Sequence, residues 1–566
     1  MPLHTDKIQW IPTLSTMLVI MANISKGTTM HLPNKKLLLG AAISLATLQA
    51  QAVPFMPTDA RAMGMGGTGV SSAEVASTVQ FNPALLSLTR DDDHFGLKIP
   101  QISIVVADDD GFIDEVEDFD EESELDNSGL SNVDLLSNVL DESTGPLGLE
   151  KLNQALTDLE TAVLPAQYEA AETKLEESVN YLDTRLFSKN PNIDPELVVY
   201  SEAVANDLDD LNNKALRMNF GANMALAIPS KKFSLALSAG GQGTFSGRVL
   251  VSSDDSDILR RYPDATSKYL TAVANLQSTL KDFNDGVGGV SAQDVADAEE
   301  AVSDFAYGGP NRPADEGDTI IFENGDLAEG ADDGSLNSQV EMVGVAIADL
   351  GLTASRVFNI KGHDIAFGVT PKLQKVTVFD YLYDLDGEDE NGNEVEFDGD
   401  TITENSEEYT EINVDLGAAY QFGAEKQFQA GLVVKNLLGK EFESPRYVES
   451  NGTAGTIVEV SPQVRAGISH KTSWTKVAFD LDLMENDPVA FEDPTQYASI
   501  GAELNVWRTL QLRAGYRANL AGSDQDVVTA GLGISPLAVH LDIGLMANAS
   551  DPEKEAGIAL EFGVEF

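Results

Sequence analysis

From about residue 215 to the end of the chain, apolar side chains recur at every second position. The first run sets Leu216, Met218, Phe220, Ala222, Met224, Leu226 and Ile228 on one side, with Arg217, Asn219 and Gly221 opposite. Ile412, Val414, Leu416, Ala418, Tyr420 and Phe422 repeat it, as do Leu537, Val539, Leu541, Ile543 and Leu545. A period of two is that of an extended strand with one apolar and one polar face. The pattern predicts fourteen strands, at roughly 95–106, 215–228, 232–249, 341–358, 363–378, 410–422, 427–437, 456–469, 474–484, 496–506, 509–518, 526–535, 537–547 and 556–566.

Alternation alone also fits a half-exposed soluble sheet, but the connections discriminate. They alternate between short turns ("PSKK", "IKGH", "GAEK", "HKTS", "WRT", "SPL") and long segments such as 107–214, 250–340 and 379–409. Sorting of loops by parity, with an even strand number, is the pattern of an outer-membrane barrel. The expected fold is therefore all-β: a 14-stranded antiparallel transmembrane barrel over residues 95–566. The chain stops on "GIALEFGVEF", with Phe562, Val564 and Phe566 on the apolar side. A terminus of that kind needs a partner, and pairing with the first strand would close the barrel and remove both edges.

Two of the long segments carry a different period. Leu149, Leu152, Leu156, Leu159 and Val163 recur at spacings of three and four, Pro165 interrupts, and Tyr168, Ala171, Leu175, Val179, Leu182 and Leu186 resume. This predicts a helical hairpin in the insertion 107–214. Tyr269, Ala272, Val273, Leu276, Leu280 and Phe283 predict a further helix in the insertion 250–340.

The net charge of −56 excludes a basic nucleic-acid footprint. The absence of cysteine excludes disulfides, thiolate metal sites and cysteine nucleophiles. Near the N-terminus, Lys35 and Lys36, the apolar run Leu37–Leu48 and Ala50-Gln51-Ala52 read as a secretory signal over 30–52, cleaved after Ala52. Residues 1–29 lie outside that pattern, and Met30 stands where a start would be expected.

Between the cleavage site and the first strand lies "ARAMGMGGTGVSSAEVASTVQFNPALLSLTR". Gly64, Gly66 and Gly69 match a dinucleotide-binding spacing, but no strand pattern precedes them, so the nucleotide reading is rejected. Gly64, Gly66, Gly67 and Gly69 instead suit a backbone packed closely inside a confined lumen. Together with Asn82-Pro83-Ala84, this stretch resembles the N-terminal hatch of FadL-type outer-membrane transporters, whose barrels also have fourteen strands. The same combination resembles a branch of that superfamily known as plasmid-transfer TraF proteins. The resemblance implies a hatch over 53–94 and passive uptake of hydrophobic compounds such as long-chain fatty acids. It equally implies, as the alternative, an envelope component of plasmid conjugation acting through protein contacts of its outer loops.

Residues 108–126 hold 12 acidic and no basic residues, and 380–408 hold 13 and none. Both read as solvated outer loops. "DLDGEDENGNEVEFDGD" does not fit the calcium-loop register, because Gly387 stands where the first Asp would be required, so no metal is assigned. On the polar faces of the strands, Arg217, Arg465, Asp480, Asp482, Arg513, Arg517, His540 and Asp542 are expected to line the lumen and hold the hatch. No nucleophile, base and orienting group fall in register, so no enzyme chemistry and no cofactor are assigned. Expected partners are outer-membrane lipid and lipopolysaccharide, a hydrophobic ligand, and a protein partner at the helical loops.

Overall fold

The structure, a computed structural model, describes residues 58–88, 94–108, 110–120, 130–140, 149–161, 165–186, 196–230, 233–308, 320–324, 326–327, 338–384, 399–491, 493–507, 509–522, 525–536 and 538–565. The signal peptide, its cleavage site and Phe566 lie outside the described residues.

Fourteen strands form one closed antiparallel barrel. They are β1 (Gly96–Ala107), β2 (Ala215–Ile228), β3 (Ser234–Leu250), β4 (Gln339–Ile360), β5 (His363–Asp384), β6 (Ser406–Phe422) and β7 (Phe428–Lys435). The second half comprises β8 (Gln463–Lys471), β9 (Thr475–Asp482), β10 (Tyr497–Val506), β11 (Leu510–Asn519), β12 (Val527–Ile534), β13 (Val539–Asn548) and β14 (Glu555–Glu565). Each strand pairs with its sequence neighbours, and β14 closes on β1 with Gly96 opposite Glu565 and Ala107 opposite Glu555.

The two faces of the strands separate as the alternation requires. Outward positions such as Ile412, Leu541 and Leu560 are 56%, 58% and 50% exposed. Charged groups such as Arg217, Asp480 and Arg517 point inward and are buried. A wall apolar outside and polar inside, without an edge, is built for hydrocarbon rather than water. Aromatic rows mark both rims. Near the short turns, Tyr420, Phe422 and Phe428 stack in succession, and His363 and His470 flank the row. Toward the long loops, Phe220, Phe245, buried Phe379 and Tyr381 form a second row of ring contacts, in which Tyr381 stacks on Tyr383. Gly243 and Gly344 make room for it, since a Cβ at either would meet the Phe220 or Phe245 ring.

One strand expectation needs correction. The run 456–469 is not continuous: Ile457–Val460 pairs with Lys440–Glu443 in a separate hairpin, and β8 begins only at Gln463. Pro462 lies at the break, where its missing N–H cannot extend a ladder.

The helical insertions hold more helices than the hairpin in 107–214 and the further helix in 250–340 that the stripes predict. Between β1 and β2 stand α1 (Phe112–Asp120), α2 (Asn132–Leu140), α3 (Leu149–Glu160), α4 (Pro165–Leu186) and α5 (Glu196–Leu211). Between β3 and β4 stand α6 (Ser253–Asp285) and α7 (Ala292–Ser303). Leu152, Leu175, Leu182, Leu197, Val204, Tyr269, Val273, Leu276 and Val295 share one core, so the helices form a cap with its own interior. Part of the acidic run is thus ordered: the Asp108 carboxylate accepts from Phe112 N and Ile113 N at 2.6 and 2.7 Å and caps α1. In the cap, hydrogen bonds from Lys268 and from the Tyr307 hydroxyl hold the Asp264 carboxyl below the usual carboxylate range.

Leu560, at the middle of β14 on the outer face, tests the membrane assignment. Leu560→Arg should destabilise the barrel by about 2–4 kcal/mol if that face lies at mid-bilayer. Denaturant unfolding of the refolded protein in lipid vesicles measures this, and an unchanged midpoint would count against it.

Candidate functional site

Residues 58–88 lie inside the barrel, in its short-turn half, as a chain of brief helical turns. Asp59 caps Ala60–Met63 by accepting from Ala62 N at 2.8 Å, and Asn82 caps Pro83–Ser87 by accepting from Ala84 N at 3.1 Å. Nearly every residue of this hatch is buried.

Two features of the wall seat it. The first is a set of glycines on inward strand positions. A Cβ on Gly501 would lie 2.2 Å from the Met65 carbonyl oxygen, and one on Gly515 would lie 2.3 Å from Gly66 N. Gly417 and Gly431 are equally tight against Asn82 Oδ1 and the Val70 carbonyl. On the hatch side, Gly64 abuts Gly531, Gly66 needs its positive φ of 70°, and Gly69 leaves room for the Phe81 ring. Gly67 likewise has a positive φ of 83°. At Gly431, Gly501, Gly515 and Gly531 backbone meets backbone, which a side chain on either partner would prevent.

The second feature is a set of polar tethers. Gly69 N and Val70 N both donate to Asp480 Oδ2, at 2.7 and 2.9 Å. Asn82 Nδ2 donates to the Val70 carbonyl at 3.0 Å and to Ala418 of the wall at 3.2 Å. Arg61 pairs with Glu503 at 2.7 Å; Glu503 also pairs with Arg513 at 2.8 Å, and Arg513 with Asp542 at 2.6 Å. On the adjoining strands, where Glu561 stands opposite Asp542, Lys98 pairs with Glu561, and Gln101 donates to Asp59 at 3.2 Å and to Glu561 at 2.7 Å. Lys476 donates to the Ser72 carbonyl at 3.0 Å and pairs with Glu74 at 2.6 Å.

The lumen candidates fall into two tiers. Arg513 and Asp542 belong to the hatch network. Arg465, paired with Asp482 at 2.5 Å, and Arg517, paired with Glu555 at 2.7 Å and lying over the Tyr497 ring, belong to the long-loop half with buried Arg217. His540 is set apart near the short-turn rim, with Nδ1 2.8 Å from Ser535 Oγ. Phe562 faces outward, and Val564 sits opposite Val539 and Leu97 in the ladders that close the barrel. Sequence reasoning missed Arg61, Lys98, Lys476, Glu503 and Glu561, although strand parity places the wall residues on inner faces. No group of three or more potential metal ligands occurs among the described residues.

Toward the long-loop mouth the inner wall changes character. Val345 and Ile347 of β4 and Val376 and Val378 of β5 face inward and are buried under Phe442, Val458, Val460 and Val489. Burial of each such side chain contributes about 1.5–3 kcal/mol.

A closed, edgeless barrel with an apolar exterior, its lumen occupied by the segment that precedes the first strand, defines a membrane-spanning β-barrel protein. Residues 79–482, over two-thirds of the chain, match the family described as "F plasmid transfer operon, TraF, protein", and the chain belongs to that family. Among solved structures it is similar to a mutant of the monoaromatic hydrocarbon channel TodX, at 11% identity, 89% coverage of this chain, 97% of that one, and a TM-score of 0.38. It is also similar to a Pseudomonas aeruginosa FadL homologue, at 9% identity, 91% and 99% coverage, and a TM-score of 0.38. No curated protein matches it by sequence. The barrel assignment rests on the strand order and the two-faced wall, not on these likenesses.

Asp480 gives the sharpest test of the seat. Asp480→Ala leaves two buried backbone N–H groups without their acceptor, at about 1–3 kcal/mol each. The expected outcome is a folded barrel with a loosened hatch, seen as a higher and noisier conductance in planar bilayers. Conductance equal to that of the parent chain would show that the hatch does not depend on this contact.

Proposed function

We propose that the protein is an outer-membrane channel of a Gram-negative bacterium for the passive uptake of hydrophobic small molecules. The observation that carries this reading is the barrel interior: a separate chain segment fills one half, and a valine-lined wall stands at the other mouth. Long loops and cap face the cell exterior, the short turns face the periplasm, and the outer wall contacts outer-membrane lipid and lipopolysaccharide. The N-terminal segment up to Ala52 is removed on export. Capture occurs at the outer mouth, and release past the hatch follows a shift around Asn82-Pro83-Ala84.

The acidic exterior bears on the ligand. A carboxylate approaching it meets repulsion that salt screens, whereas a neutral hydrocarbon does not. Long-chain fatty acids remain within the proposed class, with uptake expected to rise with ionic strength.

A second reading is favoured by the cap, whose helices share a core that a passive channel does not require. In it, the protein acts in plasmid conjugation, in keeping with the family match, through protein contacts of the cap.

Deleting residues 140–190 separates the readings. Under the transport reading, uptake of radiolabelled oleate and of a neutral hydrocarbon persists in cells expressing the deletion. Loss of mating with uptake intact would instead make the conjugative role the principal one.

A further inference from the structure

The hairpin of Lys440–Glu443 and Ile457–Val460, with the short helix Pro445–Glu449 at its tip, lies over the inner wall of β4, β5 and β6. Its two strands pair with each other and with no barrel strand. Moving the hairpin therefore breaks no ladder of the barrel. It leaves the wall through Gly439 and returns through Pro462, which are neighbours: a Cβ on Gly439 would lie 3.0 Å from Pro462 Cδ.

Two kinds of contact hold the hairpin down. Apolar contact is supplied by Phe442, Val458 and Val460 against Val345, Ile347, Val376 and Val378, with the Tyr409 ring 5.2 Å from that of Phe442. Polar contact near the hinge comes from Asn413, which bonds Leu438 N and O, from the Lys440–Glu411 pair and from the Tyr409 hydroxyl, which donates to the Glu443 carbonyl at 2.8 Å; toward the tip it centres on two inward carboxylates. Asp380 Oδ2 accepts from Ser444 Oγ at 2.5 Å and from Thr456 N at 3.0 Å, while Arg446 Nε lies 2.9 Å from Asp380 Oδ1. Arg446 also pairs with Glu341, which Arg248 of β3 holds at 2.7 Å. Arg248 lies in turn over the Phe491 ring, 4.1 Å from its centroid. One arginine of the hairpin thus bridges two wall strands.

We propose that residues 438–462 are a lid over the barrel mouth, latched by Arg446 on Glu341 and Asp380, and that the valine wall beneath is the entry surface for an apolar ligand. This rests on the transport reading above. In the closed state the lid's own apolar side chains occupy that surface. Raising the lid into water would expose both apolar faces, which is unfavourable. An apolar ligand on the wall offsets half of that exposure, whereas a polar solute offsets none. The lid therefore selects for apolar ligands through the surface that it vacates.

The chain contains no cysteine, so an introduced pair is the only thiol pair present. The double variant Ser444→Cys/Asp380→Cys replaces a contact of 2.5 Å between lid and wall. Reduced, it lacks the Asp380 anchor; oxidised, it locks the lid. The readout is accumulation of the neutral fluorophore N-phenyl-1-naphthylamine by Gram-negative cells expressing the full-length chain. Heat-modified mobility on gels confirms that each barrel is folded. The reduced double variant and Arg446→Ala should take up the probe severalfold faster than the parent chain, and oxidation should return the double variant to the level of cells without the protein. Equal uptake in the oxidised and reduced states, with the parent chain active, overturns the lid and leaves the transport reading standing. Uptake at background in the parent and in every folded variant overturns the transport reading and the lid with it.

Discussion

A backbone amide or carbonyl surrounded by hydrocarbon must find its partner within the protein, because no water is there to supply one. In this chain that constraint is met by pairing β14 with β1, and the rest of the architecture follows from the closure. A closed sheet of fourteen strands encloses a space too wide for wall side chains alone to fill. The sequence before β1 fills its short-turn half, and the wall there is adapted to receive that sequence. Inward glycines admit backbone, inward carboxylates accept backbone N–H groups, and inward cations reach backbone carbonyls. Outward positions, which meet lipid, have none of these duties and stay apolar.

This division explains what could be read from the sequence. Strand positions were legible because every second residue answers to the same solvent along a whole strand. Parity likewise placed Arg465, Arg513 and Arg517 inward. It could not say which of them would meet the hatch, because that depends on height in the lumen and on a segment without periodicity. Asp480 illustrates the gap: its inward placement was readable, but its acceptance of two hatch N–H groups was not. The inward glycines were hidden for another reason. Within an alternating strand a glycine looks like a weak polar position, and its role appears only when the opposing backbone is in place. The second strand of the hairpin, Ile457–Val460, reads as continuous with β8 because it has strand composition, while Lys440–Glu443 reads as loop; Pro462 is the signal that splits the run.

The cap shows the same limit from the other side. Its sequence is so acidic that charge dominates any reading of composition, yet the apolar stripes of α3, α4 and α6 were visible at helical spacing. The stripe of α5, with Leu197, Val204 and Leu208 buried, follows the same rule. What periodicity could not give was association: the stripes on two separate insertions complete one another only because β1, β2, β3 and β4 are adjacent in the barrel. The barrel order thus determines which loops can share a core. The acidic residues are left on the outside of that core, where they set the long-range field of the mouth without contributing to its packing.

The two closures of the lumen differ in physical kind, and the difference has a direction. The hatch is seated by hydrogen bonds and buried ion pairs around tightly packed backbone, contacts that are specific in geometry and that an apolar molecule cannot replace. The hairpin at the opposite mouth is held partly by apolar contact, which is non-directional and which any molecule of suitable surface can replace. Under the proposed transport reading, a hydrophobic solute arriving from the long-loop side can replace the hairpin's apolar contacts, though not its Arg446 ion pairs, and it meets the hatch with nothing to exchange. On that reading, passage beyond the valine wall would draw on water, which can satisfy the donors and acceptors of a shifted hatch as the solute cannot. On the same reading the polar lumen is the means by which the hatch would be released without leaving a buried charge unpaired, and not an obstacle placed in the path of an apolar ligand.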